Sequence, residues 1–346
     1  MGVGRSITGR IPRWRFVLIG VLAVSSIAII VGQATKGASE SRPSPIPQPA
    51  SRAFSADSWW NTPLPEQTPV HPAEKEILEY MRTAPESAPG CLTLAGAGES
   101  HWGTPYYWAS PSDEAYDVRT ISERPPELAS LRIPERAEPA KNTDGTMSVY
   151  DLEKGYVVAL TRAEYDADLD SWSASGATVT YLDSNGLHVG TGRSDDERND
   201  GSHRGNNGST MAVAWGQVQS GAIRHVLKVA LGPEVSERHI FPMVNSDGDH
   251  IGGDPAVPPQ GLRMRIRSSV DLAVRGLSPQ ALVIARALQK YGFYIGDSGG
   301  TTALKLENTR AEGRGQLWNV RADDLCGLPF TPDYWDVVAE TYDPQR

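Results

Sequence analysis

Cysteine is almost absent from this chain: Cys91 and Cys326 are the only two in 346 residues. That excludes a disulfide-dense scaffold and a zinc site built from cysteine clusters. Excess positive charge is absent too. The net charge is −9, and the first 34 residues carry four arginines and no acid, so the remainder is more acidic still. Such a domain is a poor partner for nucleic acid or an anionic membrane surface. Phe is scarce, with 5 residues against 9 Trp and 12 Tyr. Trp and Tyr join an apolar face to a polar handle, which suits sugar- or peptide-binding surfaces as well as ordinary packing. There is no His-Glu-x-x-His and no Walker loop, and Gly96-Ala-Gly98 and Gly190-Thr-Gly192 lack the third glycine of a dinucleotide fingerprint.

Long apolar runs are missing except for one. Phe16 to Gly32 is uncharged and follows Arg5, Arg10, Arg13 and Arg15. A basic start before one apolar segment reads as a secretory signal peptide or signal-anchor. Gly32-Gln33-Ala34 offers small residues for cleavage, while the run is near the minimum of about 17 residues for a membrane span. Cleaved signal, retained anchor and buried core helix all stay open. Either of the first two makes the rest extracytoplasmic, secreted or anchored by a single N-terminal membrane segment. In an oxidising compartment Cys91 and Cys326 are a disulfide candidate. Closing so long a loop is worth at most about 5 kcal/mol in the chain-entropy model.

Residues 1–34 are therefore the signal or anchor. Residues 35–52 are a linker, because Pro43, Pro45, Pro47 and Pro49 favour polyproline II. Residues 53–346 are the extracytoplasmic domain. Thr146 to Tyr150 and Gly155 to Leu160 form a hairpin around Asp151–Gly155. Thr178 to Leu182 and Leu187 to Val189 form another around Asn185-Gly186. Ala222 to Leu231 is a long strand with Ile223, His225, Leu227, Val229 and Leu231 on the apolar face and Arg224, Val226, Lys228 and Ala230 on the other. Gly261 to Arg267 points Leu262, Met264 and Ile266 inward and Arg263, Arg265 and Arg267 outward. Helices are few: Pro72 to Arg82, and one starting at the N-cap Ser278 with Pro279 at its first position and ending at Gly292. This pattern predicts a mostly β fold, an antiparallel, jelly-roll-like β-sandwich with one or two short helices.

Gly296-Asp297-Ser298-Gly299-Gly300 looks like a serine-nucleophile segment. The protease pattern continues with Pro where Thr301 stands, and an elbow needs a helix next, where a strand is expected. A glycine-rich hairpin turn is the plainer expectation, with a Ser298 hydrolase a minor one. His225, buried and kept neutral, is either a general base or a satisfied core histidine. Asp247, Asp249 and Asp254 allow an irregular cation site, but the spacing excludes a helical calcium hand. No other cofactor is expected. Sugar chemistry needs paired acid/base groups, and Asp144, Asp183, Asp247, Asp249 and Asp297 lie near expected strand ends. The polar loop 190–210 is a lid, a substrate-contacting loop or a plain mobile loop.

An ordered set of segments carries a resemblance: Ser55-Ala-Asp57-Ser-Trp-Trp60-Asn61-Thr-Pro63, Gly221-Ala-Ile-Arg-His225-Val-Leu227, Pro259-Gln-Gly261-Leu-Arg-Met-Arg265, Gly276-Leu-Ser-Pro279, Ala287-Leu-Gln-Lys-Tyr-Gly292 and Asp297. Over roughly residues 53–310 the chain resembles a family of exported, largely actinobacterial β-rich proteins without a firm assigned activity. The resemblance implies an exported β-rich domain and suggests action on glycans. The chain departs from it at Thr146, where relatives carry histidine in an Asp-x-His that begins at the position of Asp144.

The expected function is therefore a glycan-active exported protein, a glycoside hydrolase or polysaccharide lyase acting on an extracellular polysaccharide or wall glycan. A non-catalytic carbohydrate- or wall-binding module is the alternative. His225 and Asp144 are the catalytic candidates, and Trp215, Arg224, Arg204 and Asn206 the substrate contacts.

Overall fold

The computed structural model describes residues 53–343, apart from Glu99, Ser122, Glu123, Ser194, Asp195, His203 and Asn206. The expected signal and linker, and Asn206, lie outside the described residues. No described helix is long and apolar enough to cross a membrane.

Ten strands build the two main sheets: β1 (Thr93–Ala95), β2 (Tyr106–Ala109), β3 (Met147–Asp151), β4 (Tyr156–Thr161), β5 (Gly176–Tyr181), β6 (Leu227–Leu231), β7 (Arg263–Ile266), β8 (Phe293–Ser298), β9 (Ala303–Lys305) and β10 (Trp335–Val337). The larger sheet runs β1-β9-β6-β8-β7-β10 and the smaller β5-β4-β3-β2. Three α-helices occur among the described residues: α1 (Glu74–Thr83), α2 (Trp215–Gln219) and α3 (Pro279–Lys290). The fold is β-rich, as expected, but its sheets are mixed. β6 runs parallel to β8 and antiparallel to β9, and β2 runs parallel to β3.

Strand alternation gives each sheet one dry face packed into a core and a second face of mixed character. In β6, Leu227, Val229 and Leu231 are fully buried and join α1 (Ile77, Leu78, Met81) and α3 (Ile284, Leu288) in the main core. Lys228 and Ala230 point the other way. In β3, Met147 and Val149 enter a second core with Val158 and Leu160 of β4. Ser148 and Tyr150 face away from it. The second faces of the two sheets line a cleft, to which β3, β4 and β5 contribute on one side and β6, β8 and β9 on the other; on the smaller sheet the same face also buries a small apolar cluster of Tyr106, Tyr150 and Val157.

Local signals fared well where a cap or turn decides the outcome. Ser278 caps α3, its hydroxyl accepting from the Ala281 N–H. Gly155 takes φ 75° in the β3–β4 hairpin. Three expectations need correction. The segment after Asn185-Gly186 is not a strand, because β5 already pairs with β4 and Leu187 turns into the aromatic cluster of Trp59 and Trp60. The long strand shortens to Leu227–Leu231. The arginines of β7 do not form an outer basic face: Arg263 and Arg265 are 4% and 3% exposed. The Thr62–Glu66 segment covers them. Arg263 donates to the carbonyls of Thr62 and Tyr291, and Arg265 to those of Pro65 and Glu66 and to Asp336.

Candidate functional site

The cleft holds about 440 Å³, within the size range of small-molecule sites. Its floor is set by strand register. β6 and β9 pair Val229 with Leu304 and Ala230 with Ala303. One step along the ladder places Lys228 opposite Lys305, two like charges on neighbouring strands. Such a pair is unfavourable unless carboxylates compensate it. Both lysines have one. Lys228 Nζ lies 3.5 Å from Asp297, and Lys305 Nζ 3.4 Å from Asp144.

Asp297 reaches this face only through an irregularity. Val229 pairs with Ile295, but the next residue, Ala230, pairs with Asp297, so Gly296 is an extra residue in β8. Without that bulge, alternation would send Asp297 to the dry face with Phe293 and Ile295. Gly296 has a second reason to be glycine. A Cβ there would come within 3.0 Å of Lys228 Cγ, since the lysine stem lies over the bulge.

The third cation comes from the long loop. Arg204 Nη2 bonds Asp247 and sits 3.1 Å from Asp297. Its Nε is buried and has no hydrogen-bond partner among the described residues. Gly201, Ser202, Gly208 and Ser209 of the same loop also line the cleft. Thr161, Thr178 and Ser148 add hydroxyls from the opposite sheet.

Lys228 is only 15% exposed along its side chain. Burial disfavours the ammonium and lowers the pKa; Asp297 opposes this, and Arg204 and Lys305 reinforce it. For Asp247, burial acts upward, but Arg204, Ser298 and Gln260 outweigh it and hold the carboxyl below its ordinary range.

The residues singled out from sequence are dispersed. Arg204 is central in the cleft. Asp144 does not line it but accepts from Lys305, which does. Thr146, in the position where the resemblance has histidine, lines the cleft. His225 lies elsewhere, 1% exposed, in the turn before β6. Its Nδ1 is 2.8 Å from the Val226 carbonyl and its Nε2 3.1 Å from Gln217 Oε1. Trp215 opens α2, packs against the main core and donates its backbone N–H to Glu307. Arg224 is exposed. Ser298 donates to Asp247 at 2.9 Å, not to an imidazole. The glycines after it do not make a hairpin, because β6 lies between β8 and β9 and Gly299 donates across its end to Leu231. Asp247 is engaged by Arg204, Gln260 and Ser298. No group of three His, Cys, Asp or Glu suited to a metal occurs among the described residues. Cys91 and Cys326 form the expected disulfide.

Lys228 and Lys305 were not singled out. Alternation along Ala222–Leu231 already turned Lys228 from the apolar face, but only the β6–β9 register brings Lys305 beside it. No protein-family model matches the chain, and comparison with curated proteins and with solved structures finds no match.

Proposed function

We propose that this is an exported polysaccharide lyase acting on a uronate-containing extracellular glycan, with Lys228 as the base. The observation that carries the reading is the desolvated Lys228 beside Arg204 and Lys305 in a hydroxyl-lined cleft of an otherwise acidic protein. A carboxylated sugar needs a cation for its carboxylate, and a base for the carbon beside it. The Arg204 guanidinium in the cleft lining suits the first role. Neutral Lys228 suits the second, because burial lowers the cost of holding it unprotonated.

The chemistry balances with these residues. Lys228 takes the proton from the carbon bearing the carboxylate, while Arg204 stabilises the charge that develops on the carboxylate oxygens. The bond from the adjacent ring carbon to the glycosidic oxygen breaks. Its electrons leave with that oxygen, and those of the broken C–H bond form the ring double bond. The Lys305 ammonium, oriented by Asp144, protonates the departing oxygen. Solvent then returns the two lysines to their starting states. The Cys91–Cys326 disulfide supports the extracytoplasmic placement.

A binding-only module is the second reading. It is favoured by Thr146 at the cleft wall, where the resemblance has histidine, and by the carboxylate already paired with each lysine. The test is a panel of uronate and neutral polysaccharides with products read by mass. Elimination gives fragments one water lighter than hydrolysis. Unsaturated fragments from uronate polymers alone support the lyase. Retention on a uronate polymer with no product supports the binding module. Hydrolysis products from neutral polymers would overturn the choice of substrate and of reaction.

A further inference from the structure

A second cavity of about 360 Å³ adjoins the cleft and shares Ser209 and Ala212 with it. Its character differs. Trp108 of β2 and Tyr150 of β3 are register partners and stack with centroids 4.5 Å apart and planes 25° from parallel. The buried indole N–H of Trp108 has no hydrogen-bond partner among the described residues. Tyr106 marks the boundary with the cleft, its hydroxyl donating to the Ser209 carbonyl at 2.6 Å.

The amide of Gln217 lines the same cavity and is held from behind by His225. The imidazole Nδ1 faces a carbonyl and therefore donates. The ring Nε2 faces the Gln217 amide, 3.0 Å from its Nε2 and 3.1 Å from its Oε1. His225 thus holds a cavity-lining amide from outside the cavity.

We propose that this cavity is a sugar-binding subsite next to the cleft, in which Trp108 and Tyr150 take the apolar face of a neighbouring pyranose ring of the same glycan. The inference rests on the glycan reading of the cleft, and the shared wall at Ser209 and Ala212 is what assigns both cavities to one chain of sugars. An aromatic face with a polar rim is the surface that ring C–H groups and hydroxyls require. Gln217 supplies the polar group and His225 is its positioning residue.

The test uses oligouronates from disaccharide to hexasaccharide with the wild-type protein, Trp108→Ala, Trp108→Phe and Trp102→Ala. The last is a control indole, 47% exposed and outside both cavities. Binding is followed by calorimetry and cleavage by ultraviolet absorbance. The subsite predicts that wild-type affinity grows with chain length and that Trp108→Ala removes that growth, a loss of roughly tenfold for the longest chains. Trp108→Phe should recover part of it. Length-dependent affinity that survives Trp108→Ala overturns the subsite, whether or not cleavage occurs. Length-dependent binding lost in Trp108→Ala without any cleavage sustains the subsite and removes the lyase reading. No binding of any oligouronate overturns both.

Discussion

At the scale of the residue, Lys228 and His188 show opposite uses of burial. Lys228 must be neutral to take a proton, so elimination should rise with pH through its lowered pKa and level off below the ordinary lysine value near 10.4. A pH–rate profile still climbing at that value would contradict the role. His188 is 1% exposed, bonded to Thr180 at 2.9 Å, and held down to a pKa of about 3 by burial. Its native pKa is below its unfolded value, so the unfolded chain takes up the proton first. Its contribution is complete above about pH 6.5 and is lost as pH falls towards 3, at up to about 1.4 kcal/mol per pH unit. Urea midpoints from pH 7 to 4 should therefore fall less steeply in His188→Gln than in wild type. Equal slopes would show that His188 does not govern acid sensitivity.

At the scale of the element, the bulge in β8 is what brings Asp297 to the face of Lys228. Gly296→Ala would push a methyl group to 3.0 Å from Lys228 Cγ. The expected cost is about 1–3 kcal/mol of stability, with elimination slowed roughly tenfold or more by displacement of Lys228. Denaturation midpoints and rates measured together check this, and a variant equal to wild type in both would show that the stem has room. The bulge also marks the limit of sequence reading. Caps, the β3–β4 hairpin and the dry face of β6 were legible, because each is decided by neighbours a few residues away. The Lys228–Lys305 pair depends on a register between strands more than 70 residues apart. The fate of Arg263 and Arg265 depends on Thr62–Glu66, about 200 residues away. Alternation told which side the arginines take but not what covers that side.

At the scale of the whole molecule, two sheets place one face each in separate cores and line a cleft with their second faces. The gap between them is the candidate site. The Cys91–Cys326 bond spans 235 residues and ties the entry of the larger sheet, just before β1, to the approach of β10. Replacing both with serine should lower stability by about 2–5 kcal/mol, read from chemical denaturation. An unchanged midpoint would mean that packing alone sets the frame. Aspartate 144 illustrates what this scale adds. In the sequence it stands out as a catalytic candidate beside His225, and the folded chain makes it the partner of Lys305 instead.

The most direct measurement of the central claim is the release of unsaturated ends from a uronate polysaccharide by wild type and by Lys228→Met, with binding recorded in parallel. The variant should keep its affinity within a few fold and lose elimination by about a thousandfold or more, the size of a missing general base. A Lys228→Met protein that eliminates at the wild-type rate would contradict that claim.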